Sequence, residues 1–532
     1  MTDTRRGRFF EDFKVGDVYR HAIGRTLSET DNTWFTLLTC NTNEIHFNAD
    51  YAAQTEFGRP LMNSCLTLSL VTGLSVEDIS QNIVANLGWD KVTLPAPVFA
   101  GDTIYAESEV LETRPSKSRP GQGIVRVRTV LVATALLATA CGASSSGNSP
   151  TTGAAIVFGA AVSLTGAQSK EGGLTKQGYD LWLDWINQRG GIVVNNVKHP
   201  VQIKYEDDQS DPNLSATLVQ KLITDEKSQF ILGPYGSAAT ATDAIIVERD
   251  GIPMVEANGA AQSIFSHGYK FTFGVLSPAN KYLTGVLDMA ATLNPKPSTI
   301  VMLSANDNFS LEVAKAVTEY APSKGMQVLA TKQYPAAAPD VSGLVSQAKA
   351  LNPDILMNSG HLAEAININK AAKQLGLNAK IFAYSVGPST PDFINALGAD
   401  ANYVVDGSQW TPQVKYKPSF YLSVSDYVKA YEAKYNSSQP PDYHVAESTA
   451  ACLAFQKALE NAGSLDATKV RDALASLDVM TFFGEIKFDS RGINTFKPMV
   501  VEQIQNGTHY TVFPTDVANG TPKYPTPAWS AR

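Results

Sequence analysis

The stretch that most limits how this chain can fold lies inside it, from Arg126 to Gly142: Arg-Val-Arg-Thr-Val-Leu-Val-Ala-Thr-Ala-Leu-Leu-Ala-Thr-Ala-Cys-Gly. Arg126 and Arg128 make a basic start, Val130 to Ala140 an apolar core, and small residues lead to Cys141. That order is the order of a secretory signal. The core is too short to span a bilayer, which takes about 20 apolar residues. A strand continuing from Ile124 competes for the same residues, because Val and Thr alternate there, whereas Ala-Leu-Leu-Ala-Thr-Ala suits a helix. A signal in this position divides the chain, with a different protein on each side.

The end of the stretch, Ala138-Thr-Ala-Cys141, resembles a bacterial lipobox, in which the cysteine takes a diacylglyceryl group and the chain is cut just before it. Ala138 stands where a leucine is usual, and Leu137 is adjacent. The motif implies a lipid anchor at Cys141 and a location outside the cytoplasm at the cell membrane. With the signal unused, the whole chain stays in the cytoplasm. The following residues, Ala143 to Gly153, are rich in Ser, Gly, Thr and Pro, a flexible tether by composition. The expected division is residues 1–129, the signal and linker 130–153, a large domain 154–515, and a mobile Thr/Pro-rich tail 516–532.

At 532 residues the chain exceeds one core, and its 44% hydrophobic and 18% charged content is that of globular domains. A net charge of −8 gives no attraction to nucleic acid, and none is expected as a partner. The basic group Arg114, Lys117, Arg119, Arg126 and Arg128 reads as the start of the signal or as a solvated loop. Cys40, Cys65, Cys141 and Cys452 have neither metal-ligand spacing nor a disulfide pattern. His-Glu-x-x-His, Walker-type and Gly-x-Ser-x-Gly motifs are missing, so no metal or cofactor is expected.

Before the signal, the pattern is α+β. Phe10 to Asp17 leads into a strand, Thr30 to Thr39 reads as a helix, and Leu61 to Ser75 is apolar enough on all sides to be a central helix wrapped by a sheet. Three β-rich runs follow, Ile83 to Leu94, Thr103 to Glu112 and Gly123 to Thr129. The run Leu38-Thr-Cys-Asn-Thr-Asn-Glu-Ile-His-Phe-Asn-Ala-Asp-Tyr-Ala-Ala-Gln-Thr-Glu-Phe-Gly-Arg-Pro60 resembles the MaoC-like hydratases, hot-dog proteins that add water across enoyl-CoA thioesters. The resemblance covers about Phe9 to Thr129. It implies a carboxylate and an imidazole flanking one water. His46 falls on the histidine position and Asn41, which cannot accept a proton, on the aspartate position; Asn63-Ser64 replaces a His-Gly pair. Those two residues are the candidate catalytic pair, the alternative being a hydrogen-bonded core histidine and a helix-end cap. The family usually closes with a further strand, a place that Val130 to Ala135 alone could fill.

After the tether, strands and helices alternate: strands at Ala154–Ala161, Val201–Asp207 and Phe230–Gly233, with helices at Gly172–Arg189, Leu214–Asp225 and Ala238–Arg249. A second series starts at Thr299–Leu303, Leu311–Ala321 and Gln327–Thr331. Such alternation argues an α/β fold with parallel sheets, here in two lobes with a cleft between them. Helices are also expected at Tyr416–Tyr435 and Ala446–Ala462, a hairpin at Phe483–Gly492, and packing rather than ligand contact for Trp410.

Six segments in order, Ser163-Leu-Thr-Gly166, Ile186-Asn-Gln-Arg-Gly-Gly-Ile192, Asp207-Asp-Gln-Ser-Asp-Pro212, Leu232-Gly-Pro-Tyr-Gly-Ser237, Gly251-Ile-Pro-Met254 and Asn306-Asp-Asn-Phe309, resemble type I solute-binding proteins of branched-chain amino acid and amide ABC importers. The likeness runs from about Ala154 to Pro514. It implies a bilobed receptor, without chemistry of its own, that closes on a small molecule and delivers it to an ABC permease. Ser237, at a helix N-terminus where a carboxylate is favoured, is the first ligand-binding candidate. Asn258 and Ala260 fall on the family's loop contacts, Phe309 on its aromatic contact, and His361 on a tyrosine position; Thr165 reads as a turn residue. No acidic partner for a ligand ammonium stands near Tyr384–Pro388. An amino acid, an amide or a small carboxylate, aromatic ones included, fits this set.

Overall fold

The computed structural model describes residues 7–55, 57–94, 97–116, 119, 121–134 and 153–532. The chain divides into two units, Met1–Ser146 and Gly147–Arg532. Cys141 and nearly all of the expected tether lie outside the described residues. Among the described residues no helix is long and apolar enough to cross a membrane.

The first unit holds β1 (Val18–Arg20), β2 (Arg25–Thr26), α1 (Glu29–Leu38), α2 (Ala49–Ala53), α3 (Ser64–Leu74), β3 (Thr103–Pro115) and β4 (Gly123–Thr134). The antiparallel sheet has β3 at its centre, with β1 and β2 on one side and β4 on the other. α1 starts where expected because Ser28 and Asp31 cap each other's main-chain N–H. α3 does not become the enclosed helix that its composition suggests. It buries Leu66 against Leu27, Met62 and Ile104, and a sheet this narrow covers one face only. Ile83 to Leu94 forms no strand either. Asn86 Oδ1 accepts the Gly88 N–H at 3.1 Å, a turn that breaks the run, and Val84, Leu87 and Trp89 stay exposed. β4, by contrast, runs past Thr129, pairing Val130 with Glu107 and Thr134 with Thr103, so the strand reading holds for the first half of the apolar core.

A chain of side chains crosses this unit: Asp78 to His21 Nδ1 (2.9 Å), His21 Nε2 to Ser108 Oγ (2.8 Å), and Ser108 to Thr129 (2.8 Å). The order is that of a nucleophilic triad. Ser108 is fully buried, however, and the chain of bonds ties β3 and β4 to the segment that follows β1.

In the second unit the first lobe contains β5 (Ile156–Val162), α4 (Ser169–Gln188), the hairpin β6–β7 (Ile192–Val194, Val197–His199), β8 (Val201–Asp207), α5 (Pro212–Thr224), β9 (Phe230–Leu232), α6 (Ser237–Asp250), β10 (Met254–Glu256) and β11 (Thr272–Gly274). The parallel sheet order is β11-β10-β9-β5-β8. The second lobe contains α7 (Thr284–Ala291), β12 (Thr299–Ala305), α8 (Asn308–Tyr320), β13 (Gln327–Tyr334), α9 (Ser342–Leu351), β14 (Ile355–Ser359), α10 (Leu362–Leu375), β15 (Ile381–Tyr384), α11 (Pro391–Leu397) and β16 (Val404–Ser408). The chain then returns to the first lobe as α12 (Val424–Tyr435), α13 (Tyr443–Ala462), α14 (Ala467–Ala475) and the hairpin β17–β18 (Asp478–Thr481, Gly484–Lys487). It ends with β19 (Val500–Gln505) and β20 (Thr508–Phe513) in the second lobe. That sheet runs β13-β12-β14-β15-β16-β19-β20, antiparallel only at its last two strands.

The central strands are buried on both faces because helices cover both, as a parallel sheet requires. In the first lobe Phe158 packs against Trp182, Phe230 and Phe455 with ring centroids 5.9, 5.6 and 5.3 Å away. Truncating such a ring to alanine costs about 3–5 kcal/mol. Trp410 is core, as expected: its Nε1 donates to Phe482 O at 2.9 Å. The helix expected from Tyr416 starts instead at Val424, because Ser423 Oγ caps Asp426 N–H and Tyr421 takes a left-handed φ of 75°. The closing hairpin begins five residues early, at Asp478. The tail after Val517, expected to be mobile, is tied down. Thr526 N–H donates to Lys380 O (2.9 Å), Tyr524 OH to Pro295 O (2.6 Å), and Trp529 Nε1 to Leu377 O (2.6 Å).

The lobes are joined by three crossings, 275–283, 409–423 and 488–499. Ser277 N–H donates to Gln409 Oε1 (3.0 Å) and Ser277 Oγ to Lys497 O (2.7 Å). Lys497 Nζ donates to Gln409 O and Oε1. One residue from each crossing thus closes a ring of hydrogen bonds at the hinge.

Candidate functional site

The strands of both lobes end at a shared crevice, where ligands of open α/β sheets are held. After β9, Gly233-Pro-Tyr-Gly236 turns the chain. Gly236, at φ 84°, caps α6 and lets the helix begin at Ser237, while Tyr235 faces the crevice. After β10 the loop brings in Asn258. The second lobe adds Phe309 from the start of α8, His361 from the residue before α10, and Val386 after β15. Tyr282 comes from the first crossing, and the first turns of α13 supply Tyr443, His444 and Glu447.

The walls are mostly rings. Phe309 meets Tyr282 edge-on at 4.9 Å, Tyr235 lies 5.5 Å from His444, and Tyr443 stacks on His444 at 4.1 Å. The Tyr235 hydroxyl and His361 Nδ1 meet across the crevice at 3.0 Å. Ser237 Oγ accepts the Ala261 N–H at 3.1 Å and fixes the loop after β10 against α6. Asn258 Nδ2 donates to Ser448 Oγ at 3.2 Å, but Asn258 Oδ1 is buried without a partner, and so is Glu447 Oε2.

Charge in this region is almost wholly desolvated. Burial raises the Glu447 carboxyl well above its ordinary range, and the neighbouring Asp442 carboxylate adds to the effect. Burial pushes Glu256 to about 8 against the N–H groups of Gly259 and Asn258, and lowers Lys497 to about 7. Burial also works against Asp442, yet the His444 imidazole, bonded through Nδ1 to Asp442 Oδ1, outweighs it and holds that carboxyl low. Among the described residues no group of three or more His, Cys, Asp or Glu is placed to hold a metal ion.

In the first unit His46 is buried, its Nδ1 donating to Leu61 O at 2.8 Å. Asn32 fixes the same corner, donating to His46 O (2.7 Å) and Leu61 O (3.0 Å) and accepting from Asn63 N–H (2.7 Å). Asn41 Oδ1 accepts the Asn43 N–H at 3.0 Å, a local turn. Both residues therefore have structural duties where the structure places them.

Residues 155–508 match the family model described as periplasmic binding protein. The chain belongs to the periplasmic binding protein family. Residues 12–133 match a second model, the MaoC like domain. Leu/Ile/Val-binding protein homolog 7 of Brucella abortus is 23% identical over 379 residues, 68% of this chain and 92% of that protein. Homolog 8 of the same organism is 24% identical, covering 68% and 91%. Among solved structures, the leucine binding protein LivK of Thermotoga maritima superposes with a TM-score of 0.59 at 21% identity, covering 67% of this chain and 97% of that one. LivJ of Streptococcus pneumoniae in complex with isoleucine gives 0.60 at 19%, covering 67% and 97%. A solute binding protein of R. palustris in complex with benzoate gives 0.57 at 17%, covering 70% and 97%.

In this periplasmic binding protein, four of the five ligand-binding candidates, Ser237, Asn258, Phe309 and His361, come together at the crevice. Ala260 stands off it, packed in the second lobe's core with its carbonyl taken by Ala279 N–H. Ser237 is the first residue of α6 rather than its cap. Thr165 is the turn residue expected, donating through Oγ1 to Asp207 Oδ2 at 2.7 Å. The residues that sequence reasoning missed are chiefly those of α13. A signal was available: Glu447 and Ser448 are three and four residues after His444 in the largely apolar run Tyr443–Phe455 of this helix, hence on one face with it.

Proposed function

We propose that the second unit is the extracytoplasmic receptor of an ABC importer, binding a branched-chain or related amino acid, an amide or a small carboxylate. In this reading it is tethered through a lipid on Cys141 and delivers its ligand to a permease. The observation that carries this reading is a ring-lined crevice built by both lobes beside the start of α6. The first-turn N–H groups of a helix have no intrahelical partner and favour a carboxylate. A ligand touching both walls favours the closed arrangement over the open one, which is the signal a transporter can read. It would take over the contact that Tyr235 and His361 make directly. The test is a thermal-shift panel of amino acids, amides and aromatic acids on the full chain. A ligand-induced rise that disappears in Ser237→Ala supports the site, and no response across the panel counts against it.

A second activity, addition of water to enoyl-CoA, is suggested for residues 12–133 by the MaoC like match. Asn41 cannot take the proton that such a step needs. We expect the full chain to leave crotonyl-CoA unchanged; turnover abolished by His46→Ala would reverse that view.

A further inference from the structure

Glu256, the last residue of β10, is an acid with no exposure to solvent at the point where the first lobe's sheet hands the chain to the crevice. Its Oε2 accepts the Gly259 N–H, and the Asn258 N–H adds to the hold. Its Oε1 is buried without a partner. The neighbouring chain is shaped to admit it. A Cβ on Gly274, at the end of β11, would lie 2.3 Å from Oε1, one on Gly259 2.9 Å from Oε2, and one on Gly233, after β9, 2.6 Å from the Glu256 Cβ. Three glycines from three segments thus form a cradle for one carboxyl.

Burying a carboxyl is costly, the more so with one oxygen unbonded, whereas a hydrocarbon would fill the same space without that cost. What the acid supplies is a fixed acceptor beneath the loop 257–261. That loop is otherwise attached by the Ala261 N–H to Ser237 Oγ, by the Ala260 carbonyl to Ala279 N–H, and by a single bridge between Asn258 and Tyr235. Asn258 is its residue at the crevice. Among the described residues, the titratable groups facing Glu256 are Tyr179 of α4, Tyr282 of the first crossing and Glu447 of α13, none of them a cation, while β9 and β11 present glycine. An ionised carboxylate has nothing there to answer its charge, and burial accordingly raises Glu256 to about 8.

We propose that Glu256 is a positioning residue that makes the crevice pH-linked: as the uncharged acid it holds the loop 257–261 in place with Asn258 at the crevice, and loss of its proton frees the loop. The role of that loop in ligand contact rests on the receptor reading above. Seated in the cradle, the acid keeps its proton up to about pH 8; with the loop released into water it loses the proton near the ordinary value of about 4.3. The hold is therefore complete below the ordinary value, weakens about tenfold per pH unit between the two, and is lost as pH rises through the seated value.

The experiment is hydrogen exchange of the unliganded full chain between pH 5.5 and pH 7.5, read by mass spectrometry on peptides covering 257–265 and corrected for the pH dependence of exchange itself. Protection in the wild type should fall about tenfold per pH unit. Glu256→Gln keeps a carbonyl oxygen for the Gly259 N–H and cannot ionise. The ratio of its protection to that of the wild type should therefore rise about tenfold per unit, since the other buried acids act on both chains and cancel. A ratio that stays constant with pH overturns the inference. If the variant does not fold, the wild-type profile decides: the slope supports the inference and a flat profile overturns it. The empty chain is used, so the ligand panel is read separately. The slope without any ligand response leaves the loop device standing and counts against the receptor reading; a ligand response without the slope does the reverse.

Discussion

Tyr235 and His361 show how little holds the two lobes' walls together at the level of single side chains. Their one hydrogen bond, 3.0 Å long, spans the crevice, and a neutral bond of this kind contributes about 1 kcal/mol. Tyr235→Phe keeps the ring and loses the bond, so the empty receptor should open more often, by roughly fivefold in its closed-to-open ratio. Small-angle scattering of the unliganded chain should show the larger radius of gyration, and restoration of the wild-type value by a saturating ligand would confirm a shifted equilibrium rather than a damaged fold. An unchanged radius would mean that this pair does not set the balance. At this scale the sequence was readable where a turn motif carried the residue. Ser237, Asn258, Phe309 and His361 all follow strand ends, Ser237 and Phe309 within segments that resemble the solute-binding family, and they meet in space. Glu447 was not readable in that way: it reaches the crevice only because the chain crosses to the second lobe and back before forming α13.

Elements of one lobe are capped by acids of the other. Glu171, on α4, accepts the N–H of Leu362, the first residue of α10, at 3.2 Å. Glu312, on α8, accepts the N–H groups of Gln262 and Ser263 after β10 at 2.7 and 2.9 Å. Both carboxylates sit at helix starts, where the unpaired N–H groups and the dipole favour them. Bonds to a charged acceptor contribute about 1.5–3 kcal/mol each, so Glu312→Ala should weaken ligand binding by tenfold or more with little change in the melting temperature of the empty chain. Titration calorimetry beside a melting curve separates the two; equal loss in both would mark Glu312 as a folding residue instead. Most elements were legible because burial on both faces gives strands such as Ile156–Val162 and Ile355–Ser359 long apolar runs, and helices such as α5 carry their own caps at Asp211 and Pro212. The failures have a common cause. Ile83–Leu94 has β-forming residues but is broken by the turn at Asn86–Gly88, and Tyr416 and Phe420 stand at helical spacing although Pro418 lies between them and the Ser423 cap starts the helix only at Val424; neither turn nor cap is a property of periodicity.

For the molecule as a whole, acidity and export pull on different units. Burial holds Glu256 and Glu502 at about 8 and raises Glu447, Asp243 and Asp406 well above their ordinary values. Each keeps a proton in the folded chain at pH values where the unfolded chain has lost it, so the stability they confer is full below about pH 4 and is lost as pH rises through the folded values. Lys497, lowered to about 7, is protonated in both states below that value and adds an opposite slope only above it. The melting temperature of the second unit should therefore fall by several degrees between pH 5 and pH 7, and a flat or rising calorimetric profile would contradict the assignment. The first unit faces a different conflict. Val130 to Thr134 are the last residues of β4, paired with Glu107 to Thr103, and they are also the start of the apolar core that export would use. The same residues cannot lie in a finished sheet and in a secretion channel, so folding of β4 and cleavage before Cys141 exclude each other. Val130 separates the two, because its side chain is 50% exposed while Leu131 beside it packs toward the core. Val130→Arg leaves the sheet's buried face intact but puts a charge in the apolar core, at a cost of about 2.5–3.5 kcal/mol for insertion. Expressed in a lipoprotein-processing bacterium, the wild-type chain should lose its first 140 of 532 residues, whereas Val130→Arg and Cys141→Ser should each remain at 57.1 kDa. A wild-type chain that also stays whole would mean that β4 wins the competition and that the receptor remains joined to the first unit.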